Sequence, residues 1–138
     1  MLKWLEKKCL FIHKSKIMRQ FYFEKLDVWQ RGRLLIKGIY QLSKTFPSDE
    51  KFGMTQQIRR ACISITCNIA EGSSRHSGKD QARFTEIAYG SLLEVLNLLI
   101  AASDLEYISE EEMNAQRPLI EEISNKLNAL RETQLKRP

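Results

Sequence analysis

Apolar residues recur every three or four positions through most of this sequence, and that spacing constrains the fold more than any other feature. It fills four long segments, and no segment alternates polar and apolar residues as a half-buried strand does. Such spacing places the apolar side chains on one face of an α-helix. The sequence therefore predicts an all-α protein whose four helices cover about residues 24–46, 54–73, 79–107 and 110–135.

The breaks between these segments contain residues that end or begin helices. Pro47 closes the first helix, and a stretch rich in glycine and serine separates the second from the third. Ser109 and Glu112 form a capping-box pattern before the fourth. Pro118 implies a kink in that helix, or a helix that begins near Pro118. Because the connections are short, we expect an up-down-up-down antiparallel four-helix bundle.

Charge is distributed unevenly along a length of 138 residues, which suits one domain. Residues 1–20 hold 6 basic residues and 1 acidic residue, residues 21–83 hold 11 and 6, and residues 84–138 hold 5 and 10. The net charge of +5 therefore equals the charge of the first 20 residues. We expect a basic N-terminal extension over residues 1–20 and the bundle over residues 21–138. Overall basicity is then a poor indicator of nucleic-acid binding.

Three interpretations of residues 1–20 stay open. In the first, they form a loosely held extension, or one created by an upstream start codon with Met18 as the true start. In the second, they dock on a partner or a neighbouring subunit. In the third, they bind RNA or an anionic membrane. Spacing would place Leu2, Leu5, Cys9 and Ile12 on one side of a short helix. This apolar run is too short for a signal peptide, and no run in the chain approaches the roughly 20 apolar residues of a membrane span.

Signals for catalysis or metal binding are weak. Cys9, Cys62 and Cys67 show neither a CxxC pair nor zinc-site spacing, which favours reduced thiols in a cytoplasmic protein. His13 and His76 have no nucleophile near them in sequence, and the usual phosphate-loop, hydrolase and metalloprotease motifs are absent. We expect no enzyme activity, no catalytic residue, no metal and no cofactor.

Several polar residues of the second and third helices have structural interpretations. Antiparallel packing around a turn near His76 brings residue 58 level with residue 94, so Arg59 or Arg60 is predicted to pair with Glu94, within the bundle or across a subunit contact. Asn68 and Glu71 are interpreted as satisfying polar groups at a helix end or a subunit interface. A phosphate contact is the alternative for the arginines.

Basic residues in the first half of the chain are the candidate nucleic-acid contacts, against the simpler reading of a solvated face. These residues are Arg75, Lys79, Arg83, Lys25, Arg31 and Arg33. The acidic second half could instead meet this basic half on a neighbouring subunit, which would use the charge for assembly. Trp29 and Phe23 are interpreted as packing anchors rather than platforms for base stacking.

Short stretches between residues 23 and 107 resemble a known family. They are Phe23-Glu24-Lys25-Leu26-Asp27-Val28-Trp29-Gln30, Ile39-Tyr40, Phe46-Pro47, Phe52-Gly53-Met54, Gln57-Ile58-Arg59-Arg60-Ala61, Asn68-Ile69-Ala70-Glu71-Gly72, Ile87-Ala88, Gly90-Ser91-Leu92 and Glu94. The combination resembles the ribosomal-protein-like four-helix bundle family encoded in intervening sequences of bacterial 23S rRNA genes. Departures are Ile65-Thr66-Cys67 in place of Ile-Pro-Ser, and Glu106 where a glycine is common.

The resemblance implies a cytoplasmic bacterial homopentamer without known catalysis. A related branch, the accessory proteins of diversity-generating retroelements, binds nucleic acid and a reverse transcriptase. We therefore expect a nonenzymatic protein that binds RNA electrostatically and with weak sequence preference. The alternative is a protein-interaction scaffold, including a reverse-transcriptase adaptor, that does not touch nucleic acid.

Overall fold

A computed structural model describes residues 18–138 of the chain. Its four helices are α1 over Asp27–Ser43, α2 over Met54–Ser73, α3 over Gly78–Asp104 and α4 over Glu110–Leu135. Short 3-10 turns at Tyr22–Lys25 and Ser48–Glu50 precede α1 and α2. Residues 18–138 contain no strand, so the prediction of an all-α four-helix bundle is confirmed. The predictions for the N-terminal extension, Cys9 and His13 concern the part of the chain before Met18 and lie outside the described residues.

The capping box predicted before the fourth helix is present. The Ser109 hydroxyl accepts a hydrogen bond from the Glu112 backbone N–H at 3.0 Å, and the Glu112 carboxylate accepts one from the Ser109 N–H at 3.1 Å. These bonds satisfy N–H groups that lack partners inside the helix and hold its start at Glu110. Pro118 therefore lies within α4, and the alternative of a helix that begins near Pro118 is wrong.

The third helix ends earlier than the sequence predicts. It stops at Asp104 rather than near Tyr107. Glu106 has a φ of 62°, a left-handed conformation that a continuing right-handed helix does not contain. The apolar spacing continues through Leu105, so periodicity alone did not locate this end.

Each helix contacts two others, so that α1 and α3 both lie against α2 and α4. Contacts along α2 and α3 give the register. The Gln57 side chain reaches Glu94 at 3.3 Å, whereas the Ser64 hydroxyl reaches Ser91 at 2.9 Å. Residue numbers increase along α2 while those of the contacting residues in α3 decrease, so the two helices run antiparallel. Their register is close to the predicted one, in which residue 58 lies level with residue 94.

The core lies between the four helices and consists of aliphatic side chains. Those that are most completely buried include Leu35, Ile39, Ile58, Ile65, Leu92, Val95, Leu99, Ile123 and Leu127. Trp29 packs against the edge of this core, and its ring meets the Phe23 ring edge-on at 5.0 Å. Burial also raises the pKa of the Cys62 thiol to about 12, which keeps it protonated, whereas Cys67 is exposed.

The third helix is the most apolar element described. An 18-residue window of α3 is long and apolar enough to cross a membrane, by length and composition only, and 39% of that window is buried within the chain. Membrane spans and core helices of soluble proteins share this composition. The absence of a membrane span, expected from the sequence, thus stays a prediction.

Candidate nucleic-acid interface

Two arginines predicted to contact nucleic acid are engaged by carboxylates in the α2–α3 loop region. Arg75 lies 3.0 Å from the Glu71 carboxylate and 4.0 Å from that of Asp80. Arg83 lies 3.3 Å from Asp80. The Glu71–Arg75 and Asp80–Arg83 pairs are four and three residues apart, a spacing that brings side chains together over one helical turn. These carboxylates compete with phosphate for the two guanidinium groups.

A third candidate, Arg31, belongs to an ion-pair network between α1 and α4. Its Nε lies 3.1 Å from Glu122 and 3.8 Å from Asp27. Lys126 approaches Asp27 at 2.6 Å. The hydrogen bond from Lys126, helped by the charges of Lys126 and Arg31, holds the pKa of Asp27 below its usual range against a smaller opposing effect of burial. Arg31 therefore joins helices within the bundle.

The other three candidates, Lys25, Lys79 and Arg33, are exposed. No carboxylate of residues 18–138 lies within 4.0 Å of their charged groups. Gly32 lies against Thr66 and Ser43 against Arg59, so α1 runs antiparallel to α2 and therefore parallel to α3. Lys25 and Lys79, near the starts of α1 and α3, thus lie at the same end of the bundle. Arg33 lies farther along α1, with its guanidinium 5.0 Å from the centre of the Trp29 ring.

Arg33 belongs to a row of cations along the α1–α2 side of the bundle. Lys37 follows it on α1 after four residues, and Lys44 follows Lys37 after seven, directly after the helix ends at Ser43. These spacings keep one helical face. Arg59 of α2 lies over the Tyr40 ring on α1, 4.6 Å from its centre. We call Arg33, Lys37, Lys44 and Arg59 the basic row. No carboxylate in the described part of the chain approaches any of the four within 4.0 Å.

Of the basic row, Arg33 is a candidate RNA contact predicted from the sequence, whereas Lys37 and Lys44 are not among the predicted contacts. A signal for them exists in the sequence, because residues 28–48 contain four basic residues and no acidic one. Of those four, Arg31 turns towards α4, whereas Arg33 and Lys37 on α1 and Lys44 directly after it are exposed. A stretch without carboxylates cannot neutralise its own cations through neighbours one helical turn away.

Arg59 is positioned by neutral groups, which leaves its charge available. Its Nε donates to the Ser43 hydroxyl at 2.8 Å, and the Tyr40 ring supports the guanidinium plane. A guanidinium has five N–H donors, and most of those of Arg59 remain for a ligand. Phosphate oxygens match this fork of donors.

The predicted pairing of Glu94 with an arginine of α2 does not form within the chain. Glu94 instead accepts a hydrogen bond from Gln57 at 3.3 Å, because Gln57 lies at the same level on α2. Neither Arg59 nor Arg60 lies within 4.0 Å of a carboxylate among residues 18–138. The pairing across a subunit contact, the other part of this hypothesis, stays a prediction.

The remaining polar candidates make contacts on α2 and α3. The Asn68 amide donates to the Ser64 carbonyl oxygen at 2.8 Å and to its hydroxyl at 3.0 Å. That hydroxyl also contacts Ser91 of α3, and Glu71 accepts from Arg75 at 3.0 Å. Both side chains, Asn68 and Glu71, thus have a hydrogen-bond partner within the chain.

The end of the bundle away from Lys25 and Lys79 is acidic. A cavity of about 730 Å³ lies where α3 ends and α4 begins, and Asp104, Glu106, Glu110 and Glu112 line it. Four carboxylates repel phosphate, so this cavity does not suit RNA. Among the described residues no group of three His, Cys, Asp or Glu side chains is placed to hold a metal ion.

Antiparallel helices around an aliphatic core, with surface rather than buried charge, define a small all-α helical-bundle protein. The chain belongs to the 23S rRNA-intervening sequence protein family, whose model matches residues 24–129. That match confirms the resemblance drawn from the sequence motifs.

A solved structure supports the same assignment. It is the crystal structure of a protein of unknown function from the S23 ribosomal protein family of Bacteroides thetaiotaomicron, 25% identical in sequence. The alignment covers 78% of this chain and 94% of that chain, with a TM-score of 0.57. A comparison with curated proteins finds no match.

Proposed function

We propose that this protein is a nonenzymatic, self-associating RNA-binding protein of the cytoplasm, and that the basic row contacts the RNA backbone. The observation that carries the proposal is a row of four cations on the α1–α2 side without a carboxylate nearby. The family takes its name from intervening sequences of 23S rRNA, which supports ribosomal RNA, or its intervening segment, as the RNA that this protein binds.

Binding through such a row is electrostatic. Lysine and arginine side chains that neutralise phosphates release counterions, so affinity falls as salt rises. Contacts to phosphate position the protein but read no bases, which supports weak sequence preference. Self-association into the homopentamer implied by the family resemblance would repeat the row and give avidity to weak contacts.

The test compares two charge-removal variants of the full chain in salt titrations against a panel of RNAs. Arg33→Gln, Lys37→Gln and Lys44→Gln together remove three exposed cations of the row. We expect this variant to lose about 2 to 3 units from the slope of log affinity against log salt. The matched control replaces Arg75, Lys79 and Arg83 by Gln and should change the slope less, because two of these side chains are already paired.

The outcomes distinguish RNA binding at the basic row from RNA binding at the α2–α3 loop and from a protein-interaction scaffold. A larger loss in the control would place RNA at the α2–α3 loop and refute the basic row. Undetectable binding of the folded wild-type chain at low salt would refute RNA binding and favour the protein-interaction scaffold. Light scattering on the same samples measures the oligomeric state independently.

A further inference from the structure

The outward faces of α2 and α3 carry exposed apolar side chains. Ile63 on α2 is 39% exposed, and Cys67 one turn later is also exposed. Ile87 and Leu93 on α3 are 45% and 46% exposed. Gly90 lies between them, and a Cβ there would meet nothing within 4 Å. The most apolar helix thus leaves uncovered one side on which a second helix has room to approach.

Two short surfaces face outward on these helices. The α2 face consists of Arg60, Ile63 and Cys67, and the α3 face consists of Ile87, Gly90 and Glu94. Each follows spacings of three and four residues, so its members lie on one side of their helix. Because less than half of the apolar window of α3 is buried, hydrophobic burial favours a cover for its outer side.

The register between α2 and α3 shows that the two faces match. In a ring whose axis runs along the bundles, every copy has the same height, so levels within one chain also hold between neighbours. Hydrogen bonds place residue 57 level with 94 and residue 64 level with 91. The mean of these two registers places Ile63 level with Gly90, Arg60 within about one residue of the level of Glu94, and Cys67 within about one residue of the level of Ile87.

These three pairings are complementary in charge and shape. Arg60 has no carboxylate within 4.0 Å among residues 18–138, and Glu94 has only the amide of Gln57, so a cation meets an anion. Opposite Ile63 stands the one glycine on the outer side of α3, which leaves space for a branched side chain. Cys67 and Ile87 add an apolar contact.

The angle between the two faces allows a small closed ring. Neighbouring helices of a square bundle point outward about 90° apart. A ring of four copies needs contact faces about 90° apart and a ring of five about 108°. We propose that the α2 face of one copy packs against the α3 face of the next, with Arg60 paired to Glu94 across the contact. This inference rests on the self-association in the proposed function.

Gly90→Leu tests the contact without disturbing the bundle, because the added side chain enters open space in the single chain. We expect light scattering to show the wild type as an oligomer and Gly90→Leu at the mass of one chain, 16.1 kDa. Ala129→Leu, which creates the same side chain at an exposed site of α4, should remain oligomeric. Circular dichroism checks that both variants keep their helices.

Charge exchange provides a second measurement. Arg60→Glu and Glu94→Arg should each weaken the oligomer at least tenfold, and the double variant should recover most of the loss. An oligomeric wild type that is unaffected by Gly90→Leu and by both exchanges would overturn this contact while leaving self-association in place. A wild type at the mass of one chain would overturn both this contact and self-association, whether or not the chain binds RNA.

Discussion

The backbone N–H of Tyr107 donates to the Ala102 carbonyl oxygen at 2.9 Å, across the residue that ends α3. The Glu106 N–H donates to Ser103 at 3.0 Å, inside the first bond. These two nested bonds form a Schellman motif, whose left-handed position is commonly glycine. Here Glu106 occupies it, with a φ of 62°.

Glu106→Gly should therefore stabilise the protein. A side chain with a Cβ costs about 1 to 2 kcal/mol in this conformation, and glycine avoids most of that cost while adding freedom to the unfolded chain. We expect the free energy of unfolding to rise by about 1 kcal/mol in urea denaturation. Glu106→Ala keeps the Cβ and removes the charge, so it should not stabilise. Equal stability of the Gly and Ala variants would contradict the backbone explanation.

A buried hydrogen bond joins the start of α3 to the end of α4. The Thr85 hydroxyl donates to the Gln134 side-chain oxygen at 2.7 Å, and both residues are at most 5% exposed. Thr85→Val keeps the shape but leaves the amide oxygen without its donor, which should lower the free energy of unfolding by about 1 to 3 kcal/mol.

A double-mutant cycle checks that assignment. Gln134→Leu removes the partner, so Thr85→Val should be less destabilising in the Gln134→Leu background than in the wild type. Urea denaturation of the four proteins gives the coupling energy. Additive losses would show that the hydrogen bond contributes no coupling.

The sequence predicts the helices because their apolar spacing is strong and local. The start of α4 is equally local, since both members of the capping box lie within four residues. The end of α3 is different: the apolar pattern continues beyond Asp104, and the glycine that commonly marks such an end is replaced by Glu106. The end of α3 is therefore set by the left-handed backbone of Glu106, which the apolar spacing of the side chains does not reveal.

The surface was harder to predict than the core, for two reasons. Glu71 and Arg75 are four residues apart across the end of α2, so local spacing indicates that this arginine pairs with a carboxylate as well as being a candidate RNA contact. The pairing of Arg31 with Glu122 spans 91 positions and depends on the register of α1 against α4. Which cations remain available is therefore a property of the assembled bundle, as Lys37 and Lys44 show.

Close packing between α1 and α2 depends on Gly32. A Cβ at this position would lie 2.7 Å from the Thr66 methyl carbon. Thr66 cannot simply rotate away, because its hydroxyl donates to the Ile63 carbonyl oxygen at 3.1 Å. Alanine gains about 1 kcal/mol in helix propensity, but overpacking costs about 1 to 3 kcal/mol, so Gly32→Ala should destabilise on balance.

The Thr66→Ser background should reverse the sign of that effect. Serine keeps the hydroxyl and removes the methyl group that the new Cβ would meet. In this background Gly32→Ala should stabilise by up to about 1 kcal/mol, since only the gain in helix propensity remains. Thermal denaturation followed by circular dichroism measures both steps. A loss of the same size in both backgrounds would place the clash elsewhere.

The pairing of Asp27 with Lys126 makes part of the stability depend on pH. The Lys126 hydrogen bond, foremost, and its charge lower the pKa of Asp27 in the folded protein below the ordinary value of 3.8. Because the pKa of Asp27 is lower in the folded protein than in the unfolded chain, ionised Asp27 contributes to the free energy of unfolding. That contribution is fully present above about pH 3.8 and is lost as the pH falls through the pKa of Asp27 in the folded protein.

Replacing the lysine should shift this titration in a predictable direction. Lys126→Gln removes the positive charge, so the pKa of Asp27 should rise towards 3.8, measured by NMR titration of its carboxyl carbon. Lys126→Arg retains the charge and should keep the pKa low. The lowered pKa of Asp27 makes the folded protein lose stability in acid. Lys126→Gln should therefore also weaken the dependence of the free energy of unfolding on pH below about 3.8. An unchanged Asp27 titration in Lys126→Gln would show that Arg31, the other nearby cation, sets its pKa.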